Sequence, residues 1–191
     1  LQIAKQSGWL CDPWQVAGLK RDEVRNSRVL SWLLNPRDSH GFGDRLLVAL
    51  LAEIKLPSFP LTVSKNCRVK EEQCPDGDQS NRVDIEVDDE KFYIIIEVKI
   101  NASESDGQLA KYVGQAEKKA RGRYWTVIFL TISGRPPKSA GDYINKVIPI
   151  SWRRLADVLA NALKSEDKKT EAHAMVTALL AHSFFRHIRQ F

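Results

Sequence analysis

The stretch from Phe92 to Lys99 constrains the fold of this chain more than any other segment. It reads Phe-Tyr-Ile-Ile-Ile-Glu-Val-Lys, so five apolar residues in a row lead to two charged residues spaced two apart. A strand that is apolar on both faces is typical of a sheet covered from both sides. Glu97 and Lys99 then point to the same side, at the end where the strand leaves the sheet. The segment therefore predicts a central strand with a charged end.

Composition narrows the class of protein. The chain has 191 residues, of which 43% are hydrophobic and 28% charged, as in a soluble globular domain. No apolar run approaches the roughly 20 residues that cross a membrane. No secretory leader is visible and the three cysteines lack metal-ligand spacing, so we expect a cytoplasmic protein with reduced thiols. The net charge of +5 is compatible with a polyanionic partner.

Hydrophobic periodicity and turn residues predict two helices before any strand and a strand-helix-strand unit after them. The predicted helices cover 21–34, about 47–54, 108–120, about 152–163 and a last helix after 169; the predicted strands cover 81–87, 92–99, 124–132 and about 147–150, with an extended segment over 61–69 and a turn over 74–80. A helix between two buried strands indicates a parallel pair, so the sheet is predicted to be mixed.

We divide the chain into an N-terminal segment (1–20), a core (21–150) and C-terminal helices (151–191) that pack on the core or on a partner. In the last helix one face is predicted to form a packing stripe. That stripe consists of Ala172, Met175, Val176, Leu179, Leu180, Ser183 and Phe184.

Asp84 is the residue that suggests a metal site at the charged strand end. It lies on the strand before Glu97, across a tight turn, so the two carboxylates are expected to converge. Two unit charges about 4 Å apart repel by roughly 4 kcal/mol at an effective dielectric constant near 20, so such a pair requires a cation. Mg²⁺ prefers oxygen ligands of this kind. The alternative is a simple ion pair between Glu97 and Lys99 at a strand terminus.

Val83-Asp84, twelve intervening residues and then Glu97-Val98-Lys99 resemble the core of the PD-(D/E)XK nuclease superfamily. The resemblance implies an α/β, restriction-endonuclease-like core: a central mixed β-sheet flanked by helices. It implies that Asp84, Glu97 and the Val98 carbonyl hold Mg²⁺, for which Mn²⁺ substitutes. Lys99 would assist the water that attacks phosphorus in line, leaving a 5′-phosphate. The literal Pro75-Asp76 pair has a turn composition, so Asp84 is preferred to Asp76.

Glu23 is the predicted additional metal ligand. The segment from Asp22 to Ser27, followed by His40-Gly41, resembles the opening helix and HG turn of one bacterial branch of the superfamily, which carries an extra metal-site Glu on that helix. Leu30 lies seven residues after Glu23, which places the carboxylate along the inward edge of the helix. The alternative is an acidic residue favoured by the helix dipole.

Gln108 and Tyr112 resemble the Gln-x-x-x-Tyr element on the helix after the core in exonuclease-like members of the superfamily. The resemblance implies that both belong to the catalytic site and position the substrate or the lysine; the alternative is a polar rim and a core aromatic. Arg82 and Lys111 flank the site and are the predicted substrate contacts.

These residues predict a metal-dependent nuclease, a phosphodiesterase acting on nucleic acid, with DNA favoured over RNA. One alternative is a catalytically inactive module of the same shape that binds nucleic acid or protein. Another is a nuclease active only when assembled, as a homodimer or with a partner protein, for instance in bacterial defence. In that case the C-terminal helix would be the docking surface.

Overall fold

The computed structural model describes residues 11–73, 83–164 and 172–191, and its centre is a five-stranded sheet. The strands, in spatial order, are β1 (Arg68–Gln73), β2 (Val83–Asp88), β3 (Phe92–Val98), β4 (Tyr124–Thr131) and β5 (Val147–Ser151). The first three pair antiparallel, whereas β3, β4 and β5 are parallel. The predicted α/β class and mixed sheet are therefore confirmed.

Helices cover both faces of this sheet. They are α1 (Pro13–Val16), α2 (Glu23–Leu34), α3 (Arg45–Ile54), α4 (Gln108–Ala120), α5 (Trp152–Ala162) and α6 (Ala172–Ile188), with a 3₁₀ helix at Gly141–Lys146. One face of the sheet packs with α2, α3, α5 and α6 in the larger core. The other face packs with α4 in a smaller core. In the described part of the chain no helix has the length and apolarity needed to cross a membrane.

Strand β3 is the centre of this packing. Every one of its residues is buried, because it lies between β2 and β4 and has helices above and below. Ile94 and Ile96 contribute to the larger core, whereas Tyr93 and Ile95 contribute to the smaller one. Alternation along the strand puts Glu97 on the same face as Ile95. The charged end of β3 therefore lies on the α4 side of the sheet.

Helix α2 begins at Glu23, two residues after the predicted start, because the Asp22 side chain accepts the Arg25 N–H at 2.9 Å and so caps the helix. Its end at Leu34 agrees with the predicted range of 21–34. The His40 ring, 2% exposed, contacts the Asn35 carbonyl through Nε2 at 2.8 Å and the Phe42 N–H through Nδ1 at 3.0 Å. His40 thus orders the turn that leads to α3.

Other predicted boundaries need correction. The segment predicted as extended over 61–69 is a strand only from Arg68 onward, and α1 lies in the region predicted as an N-terminal segment. Helix α3 begins at Arg45, two residues before the predicted start, and ends at Ile54 as predicted, where Lys55 adopts a left-handed conformation with φ of 54°. Cys11 and Cys67 are free thiols. The turn over 74–80, with Asp76, lies outside the described residues.

Among the described residues, the predicted packing stripe of α6 packs within the chain only in its second half. Met175, Val176 and Leu179 are 61%, 58% and 69% exposed, whereas Ser183 and Phe184 are buried. The helix packs against α1 and α5 mainly through its second half, where Trp14 contacts Phe184 edge-on. Helical spacing identified the apolar face correctly, but it does not reveal how far neighbouring elements extend along it.

Leu30 tests the packing of α2 on the sheet. Its side chain is fully buried in the larger core, so Leu30→Ala should lower the free energy of unfolding by about 2–5 kcal/mol. Val24 lies on the same helix and is 42% exposed, so Val24→Ala should change it by less than about 1 kcal/mol. Urea unfolding followed by circular dichroism measures both. Equal losses in the two variants would contradict this account of the core.

Candidate active site

Asp84 and Glu97 face each other across β2 and β3. The antiparallel register pairs Ile85 with Ile96, so the preceding and following residues come opposite each other on the α4 face. The Asp84 Oδ2 atom accepts the Val98 N–H at 2.7 Å, which fixes the carboxylate beside the end of β3. Glu97 is only 2% exposed. Two acids are therefore held together where water has little access.

Lys99 follows β3 directly and completes this group. Its backbone N–H donates to the Leu130 carbonyl at 2.8 Å, so the end of the strand is anchored to β4. Its Nζ atom lies 2.7 Å from Glu97 Oε1, and the side chain is 14% exposed. Burial favours the neutral amine, but Glu97 and then Asp84 raise the pKa of Lys99 above its ordinary value. The lysine is therefore an ammonium ion at neutral pH.

The two carboxylates resist ionising together. Burial, followed by the charge of Asp84, raises the pKa of Glu97 to about 8 in spite of the contact with Lys99. Burial also raises the pKa of Asp84, although the Val98 N–H opposes the shift. The two side chains are close enough for a hydrogen bond between them. Without another cation, the pair therefore holds a proton near neutral pH.

These residues fit a divalent cation, which would take the place of the shared proton and balance both charges. Among residues 11–73, 83–164 and 172–191, no set of three or more His, Cys, Asp or Glu side chains is arranged to hold a metal ion. The protein oxygens at hand are thus the carboxylates of Asp84 and Glu97. Binding a metal through so few protein ligands is typical of Mg²⁺, which keeps several waters and takes phosphate oxygens from a substrate.

Glu23 lies next to this centre but makes a contact that the sequence did not indicate. Its Oε1 atom accepts the backbone N–H groups of Ile100, Asn101 and Ala102 at 2.7, 2.9 and 3.0 Å. Burial opposes ionisation, but these three donors and Lys99 outweigh it and hold the pKa of Glu23 below its usual value. The carboxylate therefore anchors the chain where it leaves β3. Its role as a metal ligand stays a prediction.

Gln108 and Tyr112 lie one turn apart on α4 and reach the same centre. Gln108 Nε2 donates to Glu97 Oε1 at 2.8 Å and to the Tyr112 hydroxyl at 3.1 Å. The Tyr112 side chain is buried, and burial, with the negative charge of Glu97, raises its pKa. Tyr112 is thus a phenol, and Gln108 connects it to Glu97. The structure brings both residues to the predicted centre; their functional roles stay predictions.

The two predicted substrate contacts have different outcomes. Lys111 is exposed on α4, one turn of helix from Gln108, and its role as a substrate contact stays a prediction. Arg82 lies outside the described residues. Three residues near the centre were missed by sequence reasoning: Glu104, Arg135 and Ser139, which join the loops after β3 and β4. They sit in polar loop segments, where no pattern separates a buried acid from a solvated one.

A mixed sheet that carries paired carboxylates and a lysine at the end of its central strand, with helices on both faces, defines a restriction-endonuclease-like fold. Residues 11–180 match the family model of the PD-(D/E)XK nuclease superfamily, and the chain belongs to that superfamily. No curated protein and no solved structure gives a significant match. The resemblance inferred from Asp84, Glu97 and Lys99 is therefore confirmed at the level of the superfamily.

The carboxylate pair predicts a distinct pH dependence of stability in EDTA. Because the folded pKa of Glu97 is about 8 against an ordinary 4.5, the native state binds more protons between these values. Stability should therefore fall as pH rises from about 4.5 to about 8. Asp84→Asn keeps an acceptor for the Val98 N–H but removes the opposing charge. The variant should exceed wild type by roughly 1–2 kcal/mol at pH 8 and approach it near pH 4.5.

The matched control is Asp44→Asn, at an exposed position directly before α3. It changes the net charge by the same amount, so wild type and this control should show the same pH dependence. Urea unfolding at several pH values in EDTA gives the comparison. A stability of Asp84→Asn at pH 8 that is equal to or lower than that of wild type would exclude repulsion between Asp84 and Glu97.

Proposed function

We propose that this chain is a metal-dependent nuclease that hydrolyses phosphodiester bonds of nucleic acid. The observation that carries the proposal is the grouping of Asp84, Glu97 and Lys99 at one strand end, with Lys99 Nζ 2.7 Å from Glu97 Oε1. Superfamily membership supports the reaction class. A structural ion pair would account for Glu97 and Lys99, but it gives no reason for a second, half-buried carboxylate beside them.

In the proposed site Asp84 and Glu97 hold Mg²⁺ or Mn²⁺, together with the Val98 carbonyl and Glu23. When bound, the cation would acidify a water and neutralise charge on the phosphate. Gln108 holds Glu97 in place by its 2.8 Å hydrogen bond, and Tyr112 in turn fixes the amide of Gln108. These contacts set the carboxylate in one orientation before substrate arrives, which lowers the cost of reaching the reactive geometry.

Lys99 is the proposed charge-stabilising residue. As an ammonium ion held by Glu97, it can donate a hydrogen bond to the attacking water or to a phosphate oxygen. Its stem is buried and its backbone is anchored to Leu130, so the charge stays where the phosphate would lie. In-line attack on phosphorus would leave a 5′-phosphate and a 3′-hydroxyl.

Nucleic acid as the substrate class is supported by the superfamily and by a net charge of +5. We favour DNA over RNA, with Lys111 and Arg82 as contacts to the phosphate backbone. Among described residues Lys111 has no ion-pair partner, so its ammonium group is free for a phosphate. Loops outside the core set sequence preference and the choice between ends and internal bonds.

A second candidate is a module of the same fold that needs a partner, or a second copy, before it cuts. The exposed apolar residues Met175, Val176 and Leu179 of α6 favour it, because such a face is common at protein interfaces. The same surface would also serve an inactive module that binds nucleic acid or protein. Activity of the purified chain separates these alternatives from the first proposal.

Cleavage of labelled single-stranded DNA, duplex DNA and RNA in Mg²⁺ tests the proposed activity. Asp84→Asn and Lys99→Ala should each lower the rate by about 10²–10⁴-fold, since one removes a metal ligand and the other the positive charge. Lys164→Ala is the control, because Lys164 is exposed after α5, on the opposite face of the sheet. Cleavage by Asp84→Asn at the wild-type rate would refute the assigned site. If the wild-type chain cleaves none of the three substrates, the partner-dependent alternative is favoured.

Metal binding is testable without any substrate. A cation that binds only the folded chain stabilises it by about 2.7 kcal/mol at a concentration of 100 times its Kd. Titration with Mn²⁺, followed by thermal unfolding, should therefore raise the Tm of wild type and of Asp44→Asn. It should leave the Tm of Asp84→Asn nearly unchanged. An equal rise in all three proteins would show that the metal binds elsewhere.

A further inference from the structure

A cavity of about 350 Å³ lies next to the candidate active site, where the loops after β3 and β4 come together. It is lined by residues 103–106 of the first loop and by Arg135, Lys138 and Ser139 of the second. Both loops follow the carboxyl ends of parallel strands, the edge at which open α/β sheets bind ligands. The volume is at the lower end of the range for small-ligand sites.

Glu104 forms the floor of this cavity and ties the two loops together. Its Oε2 atom accepts the N–H groups of Lys138 and Ser139 and the Ser139 hydroxyl, each at 2.8 Å. Its Oε1 atom pairs with the Arg135 guanidinium, and the side chain is only 6% exposed. Burial opposes ionisation, but these donors hold the pKa of Glu104 below its usual value. The cavity is therefore preformed, and the Glu104 carboxylate at its floor is ionised.

Arg135 is held rigidly in the wall of the cavity. Its guanidinium carbon lies 5.2 Å from the centroid of the Phe129 ring. Its Nη1 group donates to Glu104 Oε1 and, at 3.4 Å, to the Pro136 carbonyl. The Nη2 and Nε groups have no acceptor among the described residues. The loop begins at Gly134, which has a φ of +69°; a Cβ at this position would lie only 2.9 Å from the Ser151 backbone nitrogen. The Arg135 guanidinium is thus fixed in position, and its Nε and Nη2 groups remain available as donors to a ligand.

The remaining charges in the cavity leave it receptive to an anion. Lys138 is exposed and makes no ion pair in the described part of the chain, and Ser103 and Ser105 add hydroxyl donors. Asp106 opposes an anion, but it is exposed at the rim. Because Glu104 is already satisfied by four donors, it acts mainly to orient Arg135. An arginine fork with a lysine beside it matches the geometry of a phosphate group.

Gln108 joins this cavity to the candidate active site. Its Oε1 atom accepts the Ser105 N–H at 3.4 Å, on the cavity side, while its Nε2 atom donates to Glu97 at 2.8 Å. One amide group therefore separates the carboxylate centre from the cavity. A nucleic-acid strand that places one phosphate at Asp84 and Glu97 would place a neighbouring phosphate within reach of this cavity.

We propose that the cavity formed by Ser103, Ser105, Arg135 and Lys138 binds a phosphate group of the substrate strand, next to the phosphate that is cut. The inference rests on the proposed nuclease function and adds a subsite to it. The phosphate is either an internal phosphodiester or a terminal monophosphate, and both present the same oxygens to Arg135. The site positions the strand relative to Glu97 and takes no part in the chemical step.

Binding of a fluorescent twelve-nucleotide DNA strand in EDTA, in unphosphorylated, 5′-phosphorylated and 3′-phosphorylated forms, tests this subsite. Lys138→Ala removes one charge, and Arg135→Lys keeps the charge beside Glu104 but loses the fork, so the buried acid stays paired. Each should raise Kd about five- to tenfold. For Lys138→Ala the slope of log Kd against log salt should also fall by roughly 0.7. Lys164→Ala, which changes the net charge equally, should alter neither quantity by this much.

KM for cleavage in Mg²⁺ should rise by the same factor in Lys138→Ala and Arg135→Lys, with kcat unchanged. An effect on all three strands indicates an internal phosphodiester, whereas an effect on one phosphorylated strand indicates a terminal phosphate. The subsite is refuted if wild type binds or cuts DNA while both variants behave like Lys164→Ala. Failure of the proposed function looks different, because wild type itself would then not cut, whether or not it binds the strand.

Discussion

The burial of Glu97 at the end of β3 is the constraint on which the rest of the structure depends. A carboxylate that is 2% exposed, opposite Asp84, is unfavourable unless positive charge and hydrogen-bond donors surround it. The fold supplies these from two elements: the end of β3 gives Lys99 and the Val98 N–H that holds Asp84, and α4 gives Gln108. Even so, the pKa of Glu97 stays near 8, so the site remains short of positive charge. A polar centre that is kept despite its electrostatic cost is characteristic of a functional site.

Parallel pairing of β3 with β4 allows one set of loops to serve both the centre and the neighbouring cavity. The two strands end at the same edge, so the loop that carries Glu104 meets the loop that carries Arg135 and Ser139. Ser139 also accepts the backbone N–H groups of Leu109 and Ala110 through its hydroxyl and carbonyl oxygens. The start of α4, and with it Gln108, is therefore positioned by the loop after β4. Groups that hold the carboxylates are in this way fixed by groups that line the cavity.

Much of this fold could be predicted from the sequence because the strongest patterns are local. The apolar run before Glu97 predicted β3, and helical spacing predicted α4 with both of its bounds. Contacts between segments that are distant in the chain have no corresponding local sequence pattern. The three backbone donors to Glu23 depend on where the chain turns after β3, and the burial of Glu104 depends on a loop more than thirty residues away. Likewise, the exposed half of α6 has the same apolar spacing as its buried half, and only its packing partners distinguish them.

The contact between Glu23 and the chain after β3 shows how one side chain can meet two demands. Its Oε1 atom satisfies three consecutive N–H groups at the strand exit, the first of them on the buried residue Ile100. The same contact keeps the carboxylate ionised near Lys99 and Asp84, and so adds negative charge to a centre already rich in it. A purely structural acid would be better placed away from two others, since like charges in a common site raise the energy of the folded state. The third carboxylate at this centre therefore raises its need for a cation, and the backbone contact of Glu23 holds the strand exit in place.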